Sequence, residues 1–373
     1  MGDALLTSYY ALYFIENGLD AQQQSLLLGV IPFSLFMGCF ILGFFNKNRA
    51  KTLWLFRLCA LMETILALCY AFSHDFVSLL VLTIIVSFFN GAPFAFIESH
   101  VALALEGKHI PYSRIRKFGT LGYIVSLFLG GFLLRHLPFS DVYYFSCAFF
   151  AAALGLSFVL KPIQEKTIEE DPNHHPAPLD KRGVILLLIS IVLLTGAFNA
   201  SAFLLPVQLK NLGLPDSDYS FIRAIGIAGE FVSLLLMPLF HRFFKNKKIP
   251  LFIGGGLLLL STALCVIVSD PYALAYSNLL LSGWGKSFVF AYQVSLFAEF
   301  TGKDKLGKIL TVSTGLINVV VTLLNLGSSA IYLNIGFPAF FGIITTMEGV
   351  GLIVFAFLPH RKTQPGEEEF VVE

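Results

Sequence analysis

The chain has 373 residues and a formal net charge of +1; 56% of its residues are hydrophobic, 13% are charged, and its mean hydropathy is +0.77. Soluble domains hold roughly 45–50% apolar and about 25% charged residues, so this balance excludes a soluble domain and marks an integral membrane protein. A near-neutral charge, with no basic run interleaved with aromatics, excludes a nucleic-acid or other polyanion partner. Cys39, Cys59, Cys69, Cys147 and Cys265 all lie in apolar stretches at irregular spacing, so no disulfide framework, metal site or cofactor is expected.

A span of about 20 apolar residues crosses a ~30 Å hydrocarbon core. Twelve are predicted, centred near Ala11, Ser34, Met62, Phe88, Ser126, Ala151, Leu194, Gly229, Leu260, Phe288, Val320 and Val350. The first is short, because few residues precede Asn17; it is either a stunted helix or one whose start lies upstream. It offers Tyr9 and Tyr13 at i and i+4, with Tyr10 adjacent. Such rings stack on sugars or nucleobases, although interfacial tyrosines have the same pattern.

The third span carries Glu63, with Arg57 its nearest basic neighbour in sequence. The stretch FAFIESHVALALEGKHIPYSRIRKFGTLG then places Glu98 and His100 in the fourth span and Arg114, Arg116 and Lys117 at the mouth of the fifth. A carboxylate in hydrocarbon needs a partner or a water-filled cavity, which makes Glu98 a functional candidate. If the fourth helix ends near Glu106 and the fifth starts near Tyr112, Glu98 and Arg116 lie about 12 Å and about 6 Å from those ends at ~1.5 Å per residue. An arginine side chain bridges most of that distance, so Glu98 and Arg116 are expected to bind substrate together, with a purely structural ion pair as the alternative.

KPIQEKTIEEDPNHHPAPLDKR, residues 161–182, is polar and proline-bearing and reads as a cytoplasmic linker; His174 and His175 are polar filler within it. The expected organisation is therefore a six-helix bundle over 1–160, the linker at 161–182, a second six-helix bundle over 183–360 and a cytoplasmic tail at 361–373. In the second bundle Glu230 on the eighth span and Lys286 on the tenth fall at matched depth, ~22 Å from the outer start of their helices. Arg223, seven residues before Glu230, shares its face. A carboxylate that can exchange cation partners suits proton coupling, and Glu230, Arg223 and Lys286 are assigned to it. Asn199 on the seventh span and Asn318 on the eleventh suit a hydroxylated substrate; Asn325 shares the face of Asn318, and helix-to-helix hydrogen bonding is the competing role. Glu348 on the twelfth span is left without an evident partner.

Basic residues test the count. The connections at 46–51, 107–117, 161–182, 241–248 and 300–308 and the tail hold all but five of the 25 Lys and Arg. The alternate connections hold only Arg135 and Lys210; Arg57, Arg223 and Lys286 lie within spans. By the positive-inside rule this gives twelve spans with both termini cytoplasmic, in the cell membrane. The halves also echo each other: FFNKNRAK after the second span and FFKNKK after the eighth, and FAFIESHVALALEGK in the fourth beside FVFAYQVSLFAEFTGK in the tenth. Such echoes accompany transporters built from two repeats.

Twelve spans, a 6+6 split and basic inner loops together resemble the major facilitator superfamily over essentially the whole chain. ESHVALAL with YSRIRKFGTLGYIVSLFLGG is similar to the fourth and fifth helices of the branch containing lactose permease, the nucleoside:proton symporters and phenylpropionate permease-like proteins. An acidic residue on helix four, an Arg before Gly-x-x-Gly on helix five and a Glu on helix eight recur there. They correspond to Glu98, to Arg116 with Gly119 and Gly122, and to Glu230. The resemblance implies an all-α membrane protein with twelve transmembrane helices in two pseudo-symmetric six-helix bundles, working by cation-coupled and usually proton-coupled uptake. There are departures: the superfamily's loop motif survives only as Gly43 followed by FFNKNRAK, lacking its Asp, and the ninth span has no basic residue.

The expected function is thus secondary active transport of a small polar or aromatic solute such as a sugar, nucleoside or aromatic acid, by alternating access as a monomer with protons as co-substrate. A proton-driven exporter of amphiphilic compounds and a solute sensor with a transporter fold are the alternatives. A lipid-modifying membrane enzyme is disfavoured, since His100, His109 and His136 form no convergent catalytic or metal-ligating set.

Overall fold

The computed structural model describes residues 1–45, 49–104, 112–160, 180–244, 246–301 and 303–359. Most of the expected linker, with His174 and His175, lies outside the described residues, as do His109 and the expected tail. Among the described residues the chain is all helix: α1 (Gly2–Thr7), α2 (Tyr10–Glu16), α3 (Ala21–Phe45), α4 (Arg49–Ala71), α5 (Phe76–Asn90), α6 (Pro93–Ala104), α7 (Tyr112–His136), α8 (Phe139–Ser157), α9 (Lys181–Asn211), α10 (Asp216–Phe243), α11 (Lys248–Ile267), α12 (Pro271–Thr301), α13 (Lys303–Asn334) and α14 (Phe337–Ala356). These make the twelve expected spans, because the first is split into α1 and α2 and the fourth into α5 and α6. Nine of the helices are individually long and apolar enough to cross a membrane. The two split spans fail on length, and α12 is diluted by Asn278, Lys286, Gln293 and Glu299.

Helix is the natural choice for these segments, because in hydrocarbon every backbone N–H and C=O must be satisfied within the span. The two interruptions therefore carry information. At the first, the Thr7 hydroxyl donates back to the Asp3 carbonyl at 2.9 Å, and Tyr9 leaves helical geometry at φ −115°, ψ 5°. The second falls at Asn90, Gly91, Ala92 and Pro93. Proline lacks the N–H that would continue α5 but suits the first turn of α6. At its other end α5 is capped by Asp75, whose carboxylate accepts from the Ser78 amide at 3.0 Å; the Ser78 hydroxyl and amide hold Asp75 below the usual carboxylate range.

Two glycines fix how α3 meets the fourth span. A Cβ on Gly38 would fall on the Phe88 carbonyl, and one on Gly91 on the Leu35 carbonyl. In both cases the obstacle is backbone and cannot rotate aside.

Contacts divide the chain into two units. The first comprises Met1–Ile168 together with Phe203–Ala224 and Thr322–Ala330; the second comprises Glu169–Ala202, Ile225–Val321 and Ile331–Glu373. The end of α9, the start of α10 and a stretch of α13 cluster with the first unit. In the first unit the third span, α4, packs on the fourth (α5 and α6) and on the sixth, α8. In the second unit the ninth span, α11, packs in the same way on the tenth, α12, and on the twelfth, α14. The internal repeat is thus visible in the packing as well as in the sequence. The second unit's core is built from Phe288, Tyr292, Phe297, Phe300, Leu352 and Phe355.

Candidate functional site

Tyr9 and Tyr13 are buried at and just beyond the break in the first span. The Tyr13 ring lies 4.8 Å from that of Tyr143, 5.4 Å from Phe139 and 6.0 Å from Tyr70. Its hydroxyl donates to the Tyr70 and Ser73 carbonyls at 3.1 and 2.9 Å. In this conformation Tyr13 therefore ties the first span to the end of α4. The Tyr9 hydroxyl is hydrogen-bonded to Ser220 at the start of α10, and Ser220 in turn donates to the Leu127 carbonyl at 2.7 Å. With the serine proton so committed, Tyr9 is the donor.

Arg223, one turn further along α10, completes this junction. Its Nη1 donates to the Ser8 carbonyl at 3.2 Å and to the Tyr219 hydroxyl at 3.0 Å. The Ser8 side chain shares a 3.0 Å hydrogen bond with Tyr123. The broken span thus exposes a carbonyl and a phenol, and α10 supplies the groups that satisfy both, as a helix interruption at membrane depth requires.

Nearer the end of these helices lies a set of ion pairs. Lys210 reaches Asp216 at 2.8 Å and Glu16 at 3.7 Å, and Arg135 reaches Asp218 at 3.1 Å. The Arg135 guanidinium also sits 5.4 Å from the Phe221 ring centre, in cation–π range. Lys210 and Arg135 are the two basic residues of the alternate connections, and both are used to hold the α9–α10 hairpin against α2 and α7.

The remaining expected site residues fall as follows. Glu98 lies on α6 and Arg116 on α7, but both side chains lie outside the described residues. Glu230 is half-buried on α10 and has no hydrogen bond or ion pair among the described residues. Lys286 does not reach it; its Nζ stands 5.8 and 6.0 Å from the Phe198 and Phe290 ring centres. Arg223 is engaged by Ser8 and Tyr219 as described. Asn199 and Asn318 are half-buried, also without a hydrogen-bond partner among the described residues. Asn325 is fully buried and donates to the Leu28 carbonyl at 3.2 Å.

Two carboxylates that the sequence left unpaired acquire partners. Glu63, 3% exposed, accepts from Asn90 Nδ2 at 2.9 Å, and the same nitrogen donates to Asp3 at 2.9 Å. Glu348, fully buried, accepts from the Thr262 hydroxyl at 2.5 Å. Neither partner is charged, so complementary charge in the sequence does not reveal them; Asn90, the last residue of α5 before a proline-initiated helix, is the signal the sequence offers.

The family model described as "MFS_1 like family" matches residues 4–323. No curated protein sequence matches the chain. Among solved structures the chain is similar to a mutant of the nucleoside transporter NupG, with a TM-score of 0.77 and 15% identity over 96% of each chain. It is likewise similar to nucleoside transporter NupG in another crystal structure, with a TM-score of 0.72 and 15% identity over 95% of this chain and 94% of that one. At this identity the likeness carries the fold alone.

Proposed function

Since the chain belongs to the MFS_1 like family, whose members are transporters and not enzymes, we propose that it moves a nucleoside-like solute, polar and aromatic, into the cell by proton-coupled alternating access. The observation that carries this reading is the junction at Ser8 and Tyr9. A spanning helix tolerates a break only where protein or a water-filled cavity satisfies the freed groups. Here Arg223 and Ser220 do so from the second half of the sequence, through single hydrogen bonds rather than apolar packing. When α10 withdraws, water or a hydroxylated solute can take the same carbonyl and phenol. The break is therefore suited to alternate between being sealed and lining a cavity.

In this reading Tyr9, Glu98, Arg116, Asn199 and Asn318 contact the solute, with Tyr13 supporting the aromatic wall. Glu230, held by no cation among the described residues, is the coupling carboxylate, with Arg223 and Lys286 as the charges it meets during the cycle. The basic loops and both termini face the cytoplasm, the Lys210 and Arg135 ion pairs face outside, and the protein works as a monomer in the cell membrane. The solute class follows the proteins named as nucleoside transporters among the structural neighbours.

The test is uptake by purified protein in proteoliposomes, with labelled nucleosides, sugars and aromatic acids, with and without an inward proton gradient. Gradient-dependent accumulation of nucleosides is expected. Accumulation of another class, or gradient-independent flux, overturns the corresponding part; absence of flux for every solute overturns the whole.

A further inference from the structure

Asn90 has one NH2 group and uses it on two acids. Asp3 Oδ1 and Glu63 Oε1 each accept from Nδ2 at 2.9 Å. Because the two N–H bonds diverge by about 120°, these oxygens stand roughly 5 Å apart. Glu63 is buried in the third span, Asp3 lies in α1 of the first, and Asn90 is the last residue of α5 at the break in the fourth. Like charges so close in a low-dielectric interior do not both stay ionised without a compensating cation.

Two more buried oxygens, one on the first span and one on α5, have no hydrogen-bond partner among the described residues. The Tyr10 hydroxyl, 2% exposed, is unpaired and lies within Coulombic range of both Asp3 and Glu63. The Ser87 hydroxyl, also 2% exposed and unpaired, is one turn before Asn90 on the same face of α5. Buried hydroxyls without partners are uncommon and call for an explanation, an ion among them.

Among the described residues, the surrounding titratable groups do not provide that cation. The Met1 amine is within range of both carboxylates, yet one amine cannot balance two acids. The Cys59 thiol, one turn from Glu63, is within Coulombic range of it and of Cys39 on α3. On α8, Tyr143 is within Coulombic range of Tyr10. On α6, His100 lies within Coulombic range of Arg57, and Arg57 is spent on the Ser157 and Leu160 carbonyls at 2.9 and 3.3 Å. The side chain of Glu98 lies outside the described residues.

We propose that Asp3 and Glu63, bridged by Asn90, are the binding site of the coupling cation in the first six spans, receiving one proton or one sodium ion between the two carboxylates. Proton and sodium share the chemistry required, a single positive charge met by hard oxygen donors. With a proton, one carboxyl becomes a donor; with sodium, the Tyr10 and Ser87 hydroxyls complete an oxygen set. The proposal rests on the cation-coupled transport described above and names where the cation goes; it makes Glu230 a second ionisable position rather than the sole one.

Cation binding is measured on the purified full-length protein independently of transport. Difference infrared spectra across a pH jump read the carboxylic C=O band, and titration with NaCl against choline chloride reads sodium. Glu63→Gln is expected to remove the C=O signal if the cation is a proton, or the sodium response if it is sodium. Asp3→Asn, at the opposite arm, provides the same readout if Glu63→Gln does not purify as a monodisperse protein. In proteoliposomes an inward gradient of about one pH unit supports up to about tenfold accumulation per coupled proton. Glu63→Gln should bring that ratio to about one while solute exchange continues; a sodium gradient replaces the proton gradient in the second arm. Unchanged infrared and sodium signals in both variants overturn the site. If the unmodified protein binds a cation at this pair but accumulates nothing, the transport reading fails and the site stands.

Discussion

Replacing Arg223 with Met removes the donor that satisfies the Ser8 carbonyl while keeping an unbranched stem in its place. Of the two hydrogen bonds made by Arg223, the one to Tyr219 lies within α10 and survives any movement of that helix. The bond to Ser8, at 3.2 Å, is the one that links α10 to the first span. A hydrogen bond from a charged donor contributes about 1.5–3 kcal/mol, and a buried carbonyl left without a partner costs a similar amount. Taking about 2 kcal/mol, Arg223→Met should shift the balance away from the sealed arrangement by roughly thirtyfold. Spin labels at Gln22 and Asn211, both exposed and both in the first unit, report the separation of the α9–α10 hairpin from the start of α3. The background would lack the five native cysteines. The unmodified protein should show a dominant short distance, and Arg223→Met a second, longer population comparable to or larger than it. An unchanged distance distribution in a variant of normal thermal stability would refute the assignment of Arg223 as the seal of the broken span.

Other expectations concern coupling, binding and packing. Glu230→Gln should abolish uphill accumulation while sparing solute exchange; unaltered accumulation removes Glu230 from coupling. Arg116→Ala should weaken solute binding by tenfold or more, about 1.4 kcal/mol, or abolish transport, and normal affinity with normal flux would make its role structural. Gly38→Ala places a methyl group against the Phe88 carbonyl and should destabilise by about 1–3 kcal/mol or more, since only backbone can yield. Gly43→Ala, with nothing within 4 Å of the added Cβ, is the control; equal melting temperatures for the two would show that the α3–α5 seam is looser than described.

The sequence made the spans legible because hydrocarbon imposes a length and a composition, and each of the twelve centres falls in a helix or beside a helix break. The breaks themselves were not read. The tyrosine-rich Tyr9–Tyr13 segment suggested a ligand wall, yet the Tyr13 hydroxyl is committed to two backbone carbonyls, a use that leaves no mark on residue spacing. Charge matching proposed Lys286 and Arg223 for Glu230, whereas Arg223 serves a carbonyl that becomes available only because α1 ends at Thr7. Asn90 went unnoticed for the same reason: its importance comes from the two acids that tertiary packing brings to it. The duplication was legible in FFNKNRAK and FFKNKK, and the matching contacts of α4 and α11 give it a physical form.

The break at Gly91 and Ala92 makes α6 a lever arm. Its fulcrum is held to α3 by glycine contacts that leave no slack, and Asn90 lies at that fulcrum with Asp3 and Glu63 on its amide. Glu98 rides on the arm eight residues away, ~12 Å along the axis. A tilt of about 10° at the fulcrum therefore carries the backbone at Glu98 by ~2 Å, comparable to the helix shifts that switch other proteins between states. A change of charge at Asn90 can thus be felt at Glu98 as a displacement, with no chain of polar groups needed between them.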